Sequence, residues 1–157
     1  MPQITPNFLF ESSAEEAALF YTRIFPNSRV NRVSRSDDGG PLSPGSVMAA
    51  DFVLDGQDFT AINAGRKFAF SESVSFRVVC HGQKEVDHYW AALSEGGSEG
   101  RCGWLTDRFG VSWQVTPVEM GSFLGHPDPD KARRATSAMM QMSKMDLSAL
   151  QAAIDDE

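Results

Sequence analysis

Arg101–Pro117 reads RCGWLTDRFGVSWQVTP and has the composition of a β-hairpin. Cys102, Trp104 and Leu105 lead into a polar turn, Thr106-Asp107-Arg108-Phe109-Gly110, and Val111 to Thr116 return from it. Two aromatic-bearing limbs around Asp and Gly are a hairpin signal. The return limb alternates, with Val111, Trp113 and Val115 on one face and Ser112, Gln114 and Thr116 on the other, as a period of two requires. One face is therefore apolar, and the other carries groups able to meet a ligand.

Upstream, the same kind of unit is spelled out twice. Ile4 to Phe10 predicts a strand, and Ser12-Ser13 followed by Glu15-Glu16 predicts capping boxes at a helix start. Ala17, Phe20, Tyr21 and Ile24 then recur at helical spacing, and Pro26-Asn27 ends the run. Ser28 to Arg35 predicts a strand, Ser36 to Ser46 a Gly/Pro/Ser loop, and Val47 to Leu54, Asp55-Gly56 and Gln57 to Ala64 a second hairpin. The order is β-α-β-β-β. It restarts with Val74 to Cys80 and a helix over Gln83 to Glu95, stopped by Gly96-Gly97. Val86, Tyr89, Trp90 and Leu93 follow Ala17, Phe20, Tyr21 and Ile24 at a constant 69 residues, which indicates an internal duplication. Val118 to Leu124 predicts a short helix. Asp130 is expected to cap a helix over Lys131 to Met142, and Asp146 a last one bearing Leu147, Leu150 and Ile154. These Met-bearing helices suit a packed surface more than a moving lid, with a subunit contact as a further role.

Composition narrows the function. At 157 residues with 41% hydrophobic content, 11 Phe and 3 Trp, the chain can bury a core unaided. A net charge of -7 disfavours nucleic-acid and anionic-membrane surfaces, so neither is expected as a partner. Cys80 and Cys102 are too few for a disulfide framework, no stretch approaches a membrane span, and Met1 to Phe10 lacks the marks of a signal peptide. A cytoplasmic protein is expected.

The chain resembles the vicinal oxygen chelate superfamily of glyoxalase, bleomycin-resistance and dioxygenase proteins. Within it the resemblance is to the PhnB-type branch labelled 3-demethylubiquinone-9 3-methyltransferase-like. Ile4-Thr5-Pro6-Asn7, Phe20-Tyr21, Ile24-Phe25-Pro26-Asn27-Ser28, Asn63-Ala64-Gly65, Val74-Ser75-Phe76, Glu85-Val86-Asp87 and Tyr89-Trp90 carry it. So do Cys102-Gly103-Trp104-Leu105, Phe109-Gly110, Ser112-Trp113-Gln114 and Ala138-Met139-Met140-Gln141-Met142. The resemblance implies an α+β fold in which two βαβββ modules form a half-open eight-stranded barrel, in a homodimer. On that basis residues 1–157 are one glyoxalase-like domain, with module one at about 1–66, module two at about 67–117 and a helical tail at about 118–157.

The superfamily's metal ligands, matched by register, would fall near Pro6, near Ser73 or Ser75, and at Gln114. Proline has no side-chain donor, serine is a poor ligand, and one amide oxygen holds a metal weakly. No metal or other cofactor is therefore expected. Cys80, His81, His88 and Cys102 have zinc-ligand chemistry but not zinc-site spacing, and a structural role is expected for them. His126 sits in a Pro/Asp linker and is expected to face solvent. An S-adenosylmethionine-dependent methyltransferase of the doubly wound kind would show a Gly-rich turn between its first strand and helix, which Ser12 to Glu16 lacks.

What remains is a polar cleft in an aromatic setting. If Leu9, Phe76, Trp113 and Val115 pack under the helices, strand parity turns Phe8, Phe10, Ser75, Arg77, Ser112, Gln114 and Thr116 inward. The expected ligand contacts are Phe8, Asn63, Ser75, Arg77, Trp104 and Gln114, with Phe68 or Phe70 as a further wall. Arg77 between Phe76 and Val78 calls for either an anionic ligand or a carboxylate such as Asp51 or Glu72. The expected function is small-molecule binding. The alternatives are a metal-assisted lyase, isomerase or dioxygenase, and a structural or regulatory homodimer.

Overall fold

The computed structural model describes residues 2–156. Met1, where the stretch searched for a leader begins, and Glu157, the end of the tail, lie outside the described residues. The chain divides into two compact units, Met1–Ala69 and Phe70–Glu157. Each contains a four-stranded sheet with one helix packed on it, so the α+β class and the repeated βαβββ order both hold.

In the first unit, β1 (Asn7–Phe10), β2 (Arg29–Arg35), β3 (Val47–Leu54) and β4 (Gln57–Asn63) are ordered β1-β4-β3-β2. The β1–β4 pair is parallel and the others antiparallel. Asp55 and Gly56 join β3 to β4 with φ of 45° and 80°, the left-handed pair that a tight two-residue hairpin demands. Helix α1 (Ala14–Ile24) buries Ala14, Ala17, Ala18 and Tyr21. Tyr21 meets Phe8 and Phe52 at ring-centroid distances of 5.9 and 6.3 Å, and Phe52 stacks on Phe59 at 5.5 Å. This aromatic stack is the core of the unit.

The expected capping boxes do not form. Ser13 is the N-cap residue of α1 but makes no side-chain cap bond. Asn63, at the end of β4, accepts from the Ala14 amide at 2.9 Å and donates to the Val47 carbonyl at 3.0 Å. A residue 49 positions away thus satisfies a free amide at the helix start and ties helix to sheet.

In the second unit, β5 (Phe76–Cys80), β6 (Ser98–Glu99), β7 (Trp104–Thr106) and β8 (Ser112–Pro117) are ordered β5-β8-β7-β6, with β5 parallel to β8. Helix α2 (Gly82–Ser94) buries Val86, Trp90 and Leu93 against this sheet. Three helices follow: α3 (Met120–Leu124), α4 (Pro129–Met139) and α5 (Leu147–Asp155). The cap of α4 is Asp128, whose carboxylate accepts from the Asp130 amide, not Asp130 itself. Pro129 fixes the first helical position and so sets the cap one residue before it. Asp146 caps α5 as expected.

The tail is docked onto the rest of its unit. Gln83 donates to the Met145 carbonyl and accepts from the Leu147 amide, both through its side chain. The Cys102 and Gly103 amides donate to the Met142 and Ser143 carbonyls at 2.9 and 2.7 Å. Met145 is fully buried. These contacts fit the packed surface better than the lid.

Candidate functional site

The site is built from the β7–β8 hairpin, and Asp107 shapes its turn. One carboxylate oxygen of this buried residue accepts from the Phe109 and Val111 amides at 2.8 and 3.0 Å, and the other accepts from Trp113 Nε1 at 2.8 Å. The turn is closed by an Asx-type arrangement, and the same side chain fixes the largest ring of the following strand. Trp113 then packs on Phe76 of β5 at 5.4 Å, on the face that α2 covers. Leu105 is its partner across the hairpin and is buried with it.

Alternation sends the other residues to the opposite face. Two rows cross the sheet there. Thr106 stands opposite Ser112, and Trp104 stands opposite Gln114, which in turn stands opposite Arg77 of β5. Gln114 Nε2 donates to Ser75 Oγ at 2.8 Å, so these two expected contacts are joined. Arg77 is exposed and has neither an ion pair nor a hydrogen bond among the described residues. Its strand is an edge of its sheet, and solvent access removes the need for the Asp51 or Glu72 partner. Asp51 is instead an acceptor for Thr60 Oγ1 at 2.9 Å.

A cavity of about 390 Å³ opens on this face, lined by Phe70, Ser71, Glu72, Thr106, Gly110 and Ser112. A recess of about 70 Å³ is lined in part by the same Glu72, Thr106 and Ser112, with Trp104 and Glu99. Ser112 is only 6% exposed, yet its hydroxyl has no hydrogen-bond partner among the described residues. Its polar atom faces the hollow. Phe70, one of the two expected wall residues, is in the lining, whereas Phe68 lies under the Arg66 guanidinium at 4.4 Å.

Two expected contacts are elsewhere. Phe8 is on the helix side of β1, against Tyr21 and Phe59, because the parity assumed for that strand is inverted. From the last buried strand residue to the first helical one shared by the repeat is seven positions in unit one, Phe10 to Ala17, and six in unit two, Cys80 to Val86. A difference of one residue turns every strand side chain to the other face. Phe10 is buried for the same reason. Asn63 is buried and holds the α1 amide and the Val47 carbonyl, one bond through its oxygen and one through its nitrogen, and it lines neither hollow of the second unit. The residues that sequence reasoning left out of the contact set are Glu72, Thr106 and Ser112. Thr106 was findable, since closing the hairpin on Asp107 and Gly110 sets it opposite Ser112.

The donors at the superfamily's metal positions do not suit a metal. Pro6 offers only its backbone carbonyl, which accepts from the Thr60 amide at 3.0 Å, and the Ser75 hydroxyl is taken by Gln114. No group of three or more His, Cys, Asp or Glu able to hold a metal occurs among the described residues. Cys80 Sγ points to the Val78 carbonyl at 3.8 Å, and Cys102 Sγ to the Met139 carbonyl at 3.6 Å. Burial, helped by Glu85 and Glu119, pushes the Cys80 thiol up to about 11. His88 packs edge-on against Tyr89. His126 Nδ1 accepts from the Asp128 amide at 3.0 Å as part of the helix cap.

Residues 2–116 match the sequence pattern of the family described as 3-demethylubiquinone-9 3-methyltransferase. The chain belongs to that family. The PhnB protein from Bacillus cereus is 36% identical over 74% of this chain and all of its own, with a TM-score of 0.69. Protein PA1353 from Pseudomonas aeruginosa is 23% identical over 74% of this chain and 98% of its own, with a TM-score of 0.64. The fosfomycin resistance protein FosX from Listeria monocytogenes, solved with Mn(II) and sulfate, shares the fold at 14% identity and a TM-score of 0.53. It covers 73% of this chain and 89% of its own length. No curated protein matches the chain. PhnB is the name of the Bacillus cereus relative, and FosX shares the fold. The strand-to-helix connections are Glu11-Ser12-Ser13 and His81, without a Gly-rich turn, and Glu85 occupies the His81 amide at 2.6 Å.

Proposed function

We propose that this 3-demethylubiquinone-9 3-methyltransferase family member is a small-molecule-binding protein that works without a metal or other cofactor. Its ligand lies on the open face of the second sheet, beside Ser112 and Thr106, with Trp104, Ser75, Gln114 and Arg77 along the same face. The observation that carries this is Ser112: a hydroxyl in a residue only 6% exposed, without a partner among the described residues, at the wall of a 390 Å³ cavity. The volume lies within the range of small-molecule pockets, about 300–1,000 Å³.

Thermal-shift screening against small aromatic acids, amines and alcohols tests the proposal. A hit should raise the Tm of the parent more than that of Ser112→Val, which removes the hydroxyl and narrows the hollow beside it. A collection with no hit on the parent would count against binding. For the metal, added Zn, Mn, Fe or Ni should leave Tm unchanged; a rise that Gln114→Ala removes would restore the metal-assisted alternative. The homodimer and the cytoplasmic location belong to the same proposal. Two unpaired cysteines, Cys80 and Cys102, support a reducing compartment. Sedimentation of the purified chain decides the oligomeric state.

A further inference from the structure

We infer that the ligand presents a cationic nitrogen to the cavity beside Ser112. This rests on the binding role proposed above and specifies its chemistry. The charged residue in the cavity lining is Glu72, and the smaller recess adds Glu99; no Lys or Arg lines either hollow among the described residues. Glu99 is engaged by Trp90 Nε1 at 2.9 Å, whereas the Glu72 carboxylate has no ion pair or hydrogen bond among the described residues.

The remaining polar groups are hydroxyls. Those of Thr106 and Ser112 have no partners among the described residues and can accept a hydrogen bond as readily as donate one. A protonated amine brings donors and no acceptor, which suits a carboxylate beside two free hydroxyls. An anionic group would instead meet Glu72 at close range in a chain of net charge -7. The walls agree in sign, since Phe70 and Trp104 offer aromatic rings whose faces attract cations. Arg77, the group that suggested an anionic ligand, lines neither hollow. The ligand class is therefore an amine, with an aromatic or alkyl body lying against Phe70 and Trp104.

Isothermal titration of 2-phenylethylamine, 2-phenylethanol and 3-phenylpropionate tests this, with amide chemical shifts of Thr106, Gly110 and Ser112 locating each probe. The amine should bind the parent more tightly than the other two. Glu72→Gln should weaken the amine about tenfold and leave the alcohol unchanged, the loss of one charge-assisted contact. Ser112→Val should block all three; if that variant does not fold, Thr106→Val serves in its place. Tighter binding of 3-phenylpropionate, or an amine affinity within twofold of parent in Glu72→Gln, overturns the charge assignment while the blocked variant upholds the cavity as the binding site. Probes that move none of the three amides overturn both.

Discussion

Trp113 Nε1 donates to the Asp107 carboxylate at 2.8 Å, and this bond joins the tip of the β7–β8 hairpin to the layer beneath it. The same carboxylate receives two turn amides, so turn geometry and indole orientation are set together. Ser112, between them in sequence, is thereby held toward the cavity.

Asp107→Ala should destabilise the chain by about 3 kcal/mol, since three donors in a buried setting lose one charged acceptor. Asp107→Asn should cost less, because one oxygen stays for the amides while an amide group opposes the indole N–H. Urea unfolding measures both, and equal costs would show that the two turn-amide bonds contribute little beside the indole bond.

Asn63→Ala should cost about 1–3 kcal/mol by removing the cap of α1 and the bond to the Val47 carbonyl. Ligand affinity in the second unit should not change. A variant of near-parent stability that has lost binding would return Asn63 to the ligand contacts expected from sequence.

The Cys80 thiol gives a pH signature. Burial, Glu85 and Glu119 raise its folded-state value from 9.0 to about 11, so the folded chain holds this proton more tightly than the unfolded one. The stability linked to it is complete below about pH 9 and is lost as the pH climbs to about 11. Unfolding curves across that window should show the fall in the parent and a smaller one in Cys80→Ala. At pH 8 a thiol reagent should label Cys102, which is partly exposed, well before Cys80.

Gly97→Ala should be among the most damaging single changes, at about 3–5 kcal/mol. A Cβ there would stand 2.1 Å from the Thr106 carbonyl oxygen and 2.7 Å from the Asp107 carbonyl carbon, so backbone must move. Thr106 lines the cavity, and probe affinity should fall with stability. Thermal melts alongside titration check this.

The element order and the second sheet were legible from sequence, because the hairpin alternates cleanly and its turn carries Asp107 and Gly110. Ser75, Arg77, Trp104 and Gln114 share one face as expected. Phe8 was misplaced because hydrophobic periodicity aligns the two helices at 69 residues but is blind to a one-residue difference in the connection before them. In the unbroken apolar run Phe8-Leu9-Phe10, both faces look alike. The capping role of Asn63 was not legible because its partners, Ala14 and Val47, are set by tertiary packing, and an amide side chain suits a helix cap and a ligand equally. Glu72 precedes its strand, in a stretch with no period to orient it.

The docking of the tail bears on biosynthesis. The Cys102 and Gly103 amides find their acceptors in Met142 and Ser143, and Gln83 finds its own in Met145 and Leu147. Met1–Ala69 is compact by itself and can fold while translation continues. The second unit must wait until Met142 to Leu147 have been made. A chain stopped after Pro117 would preserve all of the family-matching segment and still have an open seam at Cys102, a substrate for chaperones and proteases.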